Sequence, residues 1–428
     1  MDDHIISPTQ SCDVIVVGAG AAGVAAARRL VEAGVAVQVL EARDRLGGRA
    51  ATVATPLGIP VDIGCEWLHS AERNPWVGIA RGLGFSIDEA LPDWGQRVAW
   101  HKGESAQNDW IAARQAFDER CEEAAAGEID LPESALLDPD GRWNGLLRAI
   151  STWANGTELE RVSVKDHARY ENSYLNWRVL RGYGTLISTY GANLPVRFGT
   201  RVERIDHGGK SLLVGTSSGD LSARAVIVTI PTNLLAAEAI RFRPALPDIL
   251  SAAAGLPLGV ADKLFLAIDG PVEHLPRDRH LIGHTDRTAT GGYQIRPHGW
   301  PMIEGYFGGM LATGLEREGS EGMAAFALDE LVGLFGSDFR RCLRPVAHSA
   351  WVLDPLANGS YSCALPGHAG DRAVLARPIE DRLFFAGEAC SIEFFGTAHG
   401  AYFSGIAAAE QVLATLRVPL PRQPIELL

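Results

Sequence analysis

A glycine-rich turn near the start of the chain has the residue types and spacing of a dinucleotide-binding site. Gly18, Gly20 and Gly23 form a G-x-G-x-x-G pattern, and Glu41 stands 18 residues after Gly23. The first glycine permits a tight turn, the second lets a pyrophosphate approach the backbone, and the third lets a helix pack closely on a strand. A carboxylate at the end of the next strand accepts hydrogen bonds from ribose hydroxyls and repels a 2′-phosphate. These residues predict a site for a dinucleotide that lacks a 2′-phosphate.

A lysine within an apolar segment is the second candidate for chemistry. The segment 257–269, PLGVADKLFLAID, predicts a half-buried strand, and its Lys263 is one of only four lysines among the 39 lysines and arginines of the chain. Two explanations stay open from this segment alone. Lys263 is either a structural residue that reaches the surface or pairs with Asp262, or a residue that faces a cofactor.

The elements that must position these residues alternate between strands and helices. Residues 13–18 predict a buried strand, 19–34 a glycine turn and an alanine-rich helix that ends at Gly34, and 35–41 a second strand, which together form a βαβ unit. Further helices are predicted within 76–194, near 320–336 and over 398–416, and further strands within 202–230, 257–310 and 382–389. The segment 215–219 matches the G-x-S-x-G pattern of hydrolases, but we expect it to be a turn because it lies in a predicted hairpin.

Composition and charge exclude several classes of protein. The chain has 428 residues, 46% hydrophobic and 21% charged, which is typical of a soluble globular protein with more than one domain. The net charge of −13 argues against a nucleic-acid partner, which needs a basic face. No apolar run is long enough to span a membrane, and neither end is predicted to be a signal peptide or an anchor. The six cysteines have no C-x-x-C spacing, so we expect no metal site and a reducing, cytoplasmic location.

Several segments resemble one family of flavoproteins. EARDRLGGRA, residues 41–50, resembles the R-x-G-G-R signature of the amine oxidase superfamily. FFAGEACS, with Gly387 and Glu388, resembles its F-A-G-E strand, and residues 396–405 resemble its final flavin-contacting helix. GCEWLHSAERNP (64–75) resembles a segment of polyamine oxidases, and the stretch 181–205 and WVLDPLANGSY (351–361) resemble further segments of the family. The chain is therefore identified as a member of the flavin-containing amine oxidase family.

The resemblance implies FAD as the cofactor. The residues that it places in FAD binding are Gly18, Gly20, Gly23, Glu41, Arg43, Gly48, Arg49, Gly64, Cys65, Glu66, Trp67, Val202, Trp351, Gly387, Glu388, Thr397 and Ala398. Ser360 stands where monoamine oxidases of the family have a cysteine bonded to the flavin. Because serine cannot form that thioether, we predict that FAD is bound noncovalently.

The same resemblance implies four catalytic positions. Lys263 matches a lysine that holds a water against flavin N5, and a desolvated amine there is expected to have a lowered pKa. Tyr361 matches one aromatic wall of the substrate pocket, and Thr397 stands in place of the second. His69 matches a pocket histidine of polyamine oxidases, although it could instead cap the turn before Asn74. His399 is expected to be structural.

Three acidic residues and the domain division complete the prediction. Glu66, Glu171 and Glu393 could pair with a distal cation or lie in solvent. We predict an α/β fold with a Rossmann-type FAD-binding domain assembled from three chain segments and a mixed sheet-and-helix substrate domain. The FAD-binding domain comprises 1–76, 195–255 and 373–428, and the substrate-binding domain comprises 77–194 and 256–372.

The function implied by the resemblance is that of an FAD-dependent amine oxidase. Such an enzyme transfers hydride from the carbon beside the amine nitrogen to flavin N5, the imine is hydrolysed to aldehyde and amine, and O2 is reduced to H2O2. A polyamine-like substrate is favoured by His69, Thr397 and the acidic charge balance. An amine or alkaloid dehydrogenase with a protein electron acceptor and an L-amino-acid oxidase stay open. A flavin-stabilised scaffold protein is disfavoured, because the chain lacks the long coiled insertion and extra helical domain of the histone demethylase complexes. The expected partners are a small-molecule amine and O2, with no nucleic acid and no membrane.

Overall fold

The structure, a computed structural model, describes residues 10–94 and 98–416. The predictions about both chain ends lie outside these residues. The strands are β1 Gln10–Val17, β2 Val37–Leu40, β3 Thr52–Ala54, β4 Pro60–Asp62, β5 Trp67–Leu68, β6 Ile87–Asp88, β7 Trp177–Val179, β8 Val196–Arg197, β9 Val202–Asp206, β10 Leu212–Thr216, β11 Gly219–Val228, β12 Arg241–Arg243, β13 Ala261–Ile268, β14 Arg279–Ile282, β15 Gly292–Ile295, β16 Met302–Gly308, β17 Leu343–His348 and β18 Leu383–Phe385. The α-helices are α1 Ala21–Glu32, α2 Pro75–Gly82, α3 Ala99–Ala125, α4 Asn144–Ala154, α5 Val164–His167, α6 Tyr183–Gly191, α7 Thr232–Ala236, α8 Pro247–Gly255, α9 Gly309–Phe335, α10 Asp371–Leu375 and α11 Ala398–Leu416.

The largest sheet carries the predicted βαβ unit. Its strand order is β12-β9-β10-β11-β1-β2-β8, and β18 also pairs with β11. Strands β1, β2, β11 and β18 are parallel to one another, with α1 connecting β1 to β2. Small side chains such as Ala22 and Ala26 let α1 pack against both the sheet and α11. The helix ends as predicted, because Gly34 just after it adopts a φ of 78°.

The second sheet is antiparallel, in the order β14-β15-β16-β13-β17. Side chains alternate between its two faces, so Leu264, Leu266 and Phe307 lie in an apolar core with α9 while Lys263 is on the opposite face. We predicted that the strand containing Lys263 is half-buried, which is wrong. Every residue of β13 is buried, because α9 covers one face and the other lies against a cavity within the protein.

Two smaller sheets, β3-β4 and β5-β7-β6, are also present. Strand β5 and helices α3 and α4 contribute residues to the wall of this cavity. Helix α6 falls within the predicted substrate domain, yet its Leu186 and Ile187 share a buried cluster with Ala26 of α1. The boundaries of the two domains stay a prediction. Segment 215–219 joins the antiparallel strands β10 and β11, so the predicted turn is confirmed. Among the described residues, no helix is both long and apolar enough to cross a membrane.

Candidate active site

The glycine turn after β1 forms a cradle that requires glycine at positions 18 and 23. Gly18 has a φ of 100°, a conformation that L side chains rarely adopt. A Cβ on Gly23 would lie 2.0 Å from the carbonyl oxygen of Gly18, so α1 could not approach β1 this closely with any other residue. Gly20 is the N-cap of α1 and provides no side-chain cap, which leaves the first turn of the helix available to an anion.

Glu41 is held in place at the end of β2 on the wall of the cavity. The residue is buried, and its carboxylate accepts hydrogen bonds from the backbone N–H of Ala19 at 2.7 Å and of Arg43 at 2.8 Å. Arg43 in turn binds Asp354 through two contacts of 2.9 Å. The carboxylate therefore has a fixed orientation at the position where a ribose-binding acid is needed.

The R-x-G-G-R segment packs directly against the cradle. The N–H of Gly47 donates to the carbonyl of Ala19 at 2.9 Å, and a Cβ on Gly48 would lie 3.2 Å from the Cα of Gly20. Arg49 donates to the backbone of Ser360 and binds the buried Glu388 at 2.9 Å. Arg49 therefore already has a carboxylate partner within the chain, in addition to any contact with a diphosphate.

Glu388 connects this region to the start of the final helix. It accepts hydrogen bonds from the Ser362 hydroxyl at 2.6 Å and the Gly396 N–H at 2.8 Å. Burial opposes its ionisation, but Arg49 and the hydrogen bonds outweigh burial, so the pKa of Glu388 lies below its ordinary value. At the first turn of α11, the Thr397 hydroxyl accepts from the Gly400 N–H at 2.9 Å and donates to the Phe394 carbonyl. Thr397 lines the cavity and caps this helix.

One continuous cavity of about 1220 Å³ connects the cradle with the second sheet. The predicted FAD-binding residues that line it are Gly18, Gly20, Glu41, Arg43, Gly48, Arg49, Gly64, Cys65, Glu66, Trp67, Val202, Trp351, Gly387, Glu388, Thr397 and Ala398. Gly23 is not among the residues that line the cavity; it lets α1 pack closely against the turn behind the cradle. A Cβ on Gly64 would lie 1.8 Å from the Arg49 carbonyl, so this wall also requires glycine. The space and the donor set fit a long dinucleotide such as FAD.

Lys263 lies on the wall of the same cavity between two carboxylates. Its Nζ is 2.7 Å from Glu66 Oε2 and 2.9 Å from Glu304 Oε1, and all three side chains are largely buried. The alternative pairing with Asp262 is wrong, because adjacent strand residues point to opposite faces. The Asp262 carboxylate instead accepts a hydrogen bond from the Ser349 hydroxyl at 2.8 Å.

The charge state of Lys263 differs from the sequence-based expectation. Burial by itself lowers the pKa of an amine, but Glu304 and Glu66 outweigh burial, and the pKa of Lys263 is raised above its ordinary value. The predicted lowering is therefore wrong. For the carboxyls, burial and Glu66 raise the pKa of Glu304. In Glu66, burial is outweighed by Lys263 and Arg178, which lower its pKa.

Comparison with known proteins identifies the family. A model of the family described as flavin containing amine oxidoreductase matches residues 21–172 and 158–413. The chain belongs to this family. It is an FAD-dependent amine oxidoreductase, as its sequence motifs predict.

Relatives of this amine oxidoreductase span nearly its whole length. Polyamine oxidase 4 of Oryza sativa subsp. japonica is 31% identical over 442 residues, covering 93% of this chain and 88% of that protein. Polyamine oxidase 2 of Arabidopsis thaliana is 30% identical over 445 residues, covering 94% and 88%. The solved structure of putrescine oxidase bound to putrescine has a TM-score of 0.79 at 18% identity, covering 95% of this chain and 100% of that one. This structural likeness confirms the predicted fold class.

The predicted aromatic wall of the amine oxidoreductase is part of a larger group. Tyr361 lines the cavity, and its hydroxyl donates to the Trp153 carbonyl and lies 3.1 Å from the hydroxyl of Tyr306. Tyr170 and Phe395 pack at 5.1 Å between ring centroids and also face the cavity. Aromatic side chains therefore form part of the wall, and the two hydroxyls are held by each other and by the backbone of Trp153.

The two predicted histidines have different environments. The ring of His69 lines the cavity, where its Nδ1 lies 2.8 Å from the Asn176 side-chain oxygen, and burial lowers its pKa. The ring does not cap the following turn, since the side chain of Asn74 caps α2. The contact between Asn74 and His69 is through the backbone carbonyl of His69 and not through its ring. Burial lowers the pKa of His399 to about 3, and its ring packs against Phe394, as expected of a structural residue.

Sequence reasoning missed two residues at the reactive part of the cavity. Glu304 and Tyr306 both come from β16, two residues apart, so they share the face that Lys263 occupies. A charged residue and a tyrosine at alternate positions in the apolar segment MIEGYFG are the same kind of signal that Lys263 gave. Of the three open acidic residues, Glu66 is largely buried beside Lys263, whereas Glu171 binds Arg73 at the surface and Glu393 is exposed.

Proposed function

We propose that this amine oxidoreductase oxidises polyamine-like substrates at a carbon beside nitrogen, giving an imine that water splits into an aldehyde and an amine. FAD, with Glu41 and Arg49 among the residues that would hold it, would supply the oxidation by accepting hydride, and O2 would take up the electrons as hydrogen peroxide. The observation that carries the proposal is the single cavity that connects Glu41, Lys263 and the surface of α3. A cofactor and a long amine can occupy its two ends.

The outer end of the cavity suits a cation. Asp118, Glu119 and Glu122 of α3 line it; Asp118 is bound to Arg114, whereas Glu119 and Glu122 are exposed to solvent. Carboxylates at a mouth of this kind attract positively charged ligands and hold their distal ammonium groups without desolvating them. The names of the relatives, polyamine oxidases and putrescine oxidase, agree with a substrate that has more than one amine.

The inner end suits the part of the substrate that reacts. The side chains of Trp153, Tyr306 and Tyr361 line it. We propose that their rings exclude water from the part of the substrate around the reacting carbon. Lys263 is a charged donor fixed by two carboxylates, and we propose that it positions water or O2 at the reaction centre. His69, with its lowered pKa, stays neutral and offers its second ring nitrogen to an amine.

The arginines of the cavity favour an amine over an amino acid. An L-amino-acid oxidase needs a cationic partner for the substrate carboxylate. Among the described residues that line the cavity, Arg43, Arg49 and Arg114 are each bound to a carboxylate of the chain itself. Arg201 is exposed. It lies at the nucleotide end of the cavity, because the N–H of the preceding residue, Thr200, donates to the carbonyl of Glu41. We also propose a cytoplasmic location, since all six cysteines are free thiols.

The proposal is tested by anaerobic mixing of the FAD-loaded protein with putrescine, spermidine, spermine, benzylamine and L-leucine, followed by absorbance of the flavin. We expect spermidine or spermine to bleach the flavin fastest and L-leucine to leave it oxidised. Bleaching by L-leucine alone, or by none of the five, would contradict the proposal. Mixing the bleached enzyme with O2 and measuring peroxide separates an oxidase from a dehydrogenase that needs a protein acceptor.

The same preparation tests how the cofactor is held. The Ser360 hydroxyl bonds to both the N–H and the carbonyl of Ala261, at 2.8 and 2.9 Å, and cannot form a thioether. Acid precipitation should therefore release the yellow cofactor into the supernatant. Colour that stays with the precipitated protein would show a covalent bond and contradict this part of the proposal.

A further inference from the structure

Glu66 and Glu304 carry more negative charge into the cavity wall than Lys263 can balance. Both carboxylates lie within 2.9 Å of the same ammonium group. A third acid, Asp62, is buried nearby, and burial raises its pKa to about 6. Arg178 also acts on Glu66, but its guanidinium is already bound to other carboxylates. Buried carboxyls in such excess cannot all ionise, so the cluster must hold a proton or a cation.

Other groups in the cavity are poor acceptors for a proton from a substrate. An amine enters as an ammonium ion at neutral pH and must lose a proton before the carbon beside it can give up hydride. Lys263 cannot accept that proton, because its own pKa is raised and the group is already charged. Burial lowers the pKa of His69, and the hydroxyls of Tyr306 and Tyr361 are neutral since burial raises their pKa values.

The position of Glu304 favours it as the acceptor. It comes from the same face of β16 as Tyr306, so it lies beside the aromatic walls that hold the reacting part of the substrate. Burial and Glu66 both make this carboxyl hold a proton more strongly than an ordinary glutamate does. A base of this kind, titrating close to the working pH, is the efficient one.

We propose that Glu304, paired with Glu66 across Lys263, takes the proton that the substrate ammonium loses before it is oxidised. The step rests on the proposed function. The N–H bond of the ammonium breaks, its electron pair stays on nitrogen, and an O–H bond forms at a Glu304 carboxylate oxygen. No electrons are exchanged with the protein, and Glu304 returns the proton to water after the product leaves.

Other titratable groups face the pair and must be considered in any pH profile. Those contributed by neighbouring elements are Lys263 of β13, Asp62 of β4, Arg178 of β7, Tyr306 of β16, His280 of β14, His69 and His298. Lys263, Arg178 and Tyr306 keep one charge state across neutral pH, because their pKa values are raised above ordinary values that already lie well above neutrality. The histidines and Asp62 remain as alternatives, and the variants below separate them from Glu304.

The kinetic test measures anaerobic flavin bleaching by spermidine from pH 6 to 10. In the wild type, the rate should rise tenfold per pH unit and then level off. Glu304→Gln should lower the rate at pH 7 by about 100-fold or more. It should also move the pH at which the rate levels off toward the pKa of the free amine. Glu66→Gln should move it the other way, toward lower pH, because the carboxylate that raises the pKa of Glu304 is gone. A general structural defect in the two variants would not raise the pH at which the rate levels off in Glu304→Gln and lower it in Glu66→Gln.

A matched control is Glu330→Gln. Glu330 is also a buried carboxyl of the substrate region, but it binds Thr290, Gly291 and Tyr293 rather than the cavity. This variant should keep the wild-type pH profile even if its melting temperature falls. An equal loss of rate at every pH in Glu304→Gln, or an unchanged profile, would overturn the proposal.

An infrared titration supplies a readout that does not need turnover. Near neutral pH, the FAD-loaded wild type should show carbonyl-stretch intensity from a protonated Glu304 that Glu304→Gln lacks and Glu330→Gln keeps; Asp262, whose pKa burial raises to about 8, contributes equally to all three spectra. Identical spectra of wild type and Glu304→Gln would overturn the proposal while leaving amine oxidation standing. If no amine bleaches the wild type, the proposed function and the proton transfer both fail. The infrared band then shows only that the cluster of Glu66, Glu304 and Lys263 holds a proton.

Discussion

Replacing Lys263 with methionine tests whether the buried ammonium neutralises its two carboxylates. The side chain of methionine fills similar space without charge, so Glu66 and Glu304 lose their common partner. At an effective dielectric of about 20, a pair separated by 2.7 Å is worth roughly 6 kcal/mol before desolvation is subtracted. Removing one partner of a buried pair costs roughly 3–5 kcal/mol in measured cases. We expect a loss in that range for Lys263→Met at alkaline pH.

The loss should depend on pH in a defined direction. In the wild type the pKa of Glu66 is lowered, so its stabilising contribution is lost only in acid. In the variant, burial without the cation raises the pKa of Glu66 above about 4.3, its ordinary value. A carboxyl with a raised folded pKa stabilises the protein at low pH, and that contribution is lost as pH rises through the folded pKa. The difference between wild type and Lys263→Met should therefore widen from pH 5.5 to pH 8.5.

The assay is thermal unfolding of both proteins at a fixed excess of FAD. For a chain of this size, 1 kcal/mol corresponds to roughly 1–2 °C, so the melting temperature should fall by about 5 °C at pH 8.5 and by less than half of that at pH 5.5. The double variant Lys263→Met with Glu66→Gln should recover part of the loss at pH 8.5, because the unpaired charge is removed. Equal losses at both pH values, with no recovery in the double variant, would refute the reasoning.

Three further changes test other parts of the structure. Gly23→Ala places a Cβ 2.0 Å from the Gly18 carbonyl and should cut the ratio of bound flavin to protein by more than half; a normal ratio would contradict the cradle geometry. Arg372→Met leaves the buried Asp166, bound at 2.8 Å, without its cation and should cost roughly 3–5 kcal/mol in thermal unfolding, whereas an unchanged melting temperature would show that the pair contributes nothing. Thr397→Val removes the cap of α11 and should cost about 1 kcal/mol, while Thr397→Ser should not; equal losses in the two variants would assign the effect to packing.

Residues close in sequence were the ones whose roles could be predicted. The cradle of Gly18, Gly20 and Gly23 and the acid Glu41 depend on a turn, a helix start and the next strand, which are all set within about thirty residues. The hairpin around 215–219 and the end of α1 at Gly34 were predicted for the same reason. Backbone preferences and side-chain periodicity act over a few residues, so they are readable without the rest of the fold.

The partners of Lys263 and the role of Thr397 were not readable in this way. Glu66 is 197 residues from Lys263 in sequence, and only the register of β13 and β16 brings Glu304 to the same face. The sequence predicts a desolvated lysine with a lowered pKa. The contacts with Glu66 and Glu304 instead make Lys263 part of an ion pair, and its pKa is raised. Thr397 was predicted as part of a pocket wall, and the structure adds that its hydroxyl caps α11.

The sequence by itself therefore determined the glycine turn after the first strand, the family and the enzyme class, because each depends on short segments whose spacing has a local physical meaning. Tertiary structure decided which charges meet inside the cavity: Lys263 with Glu66 and Glu304, and Arg49 with Glu388. A buried charge is governed by whatever lies within a few ångströms of it, and those neighbours come from distant parts of the chain.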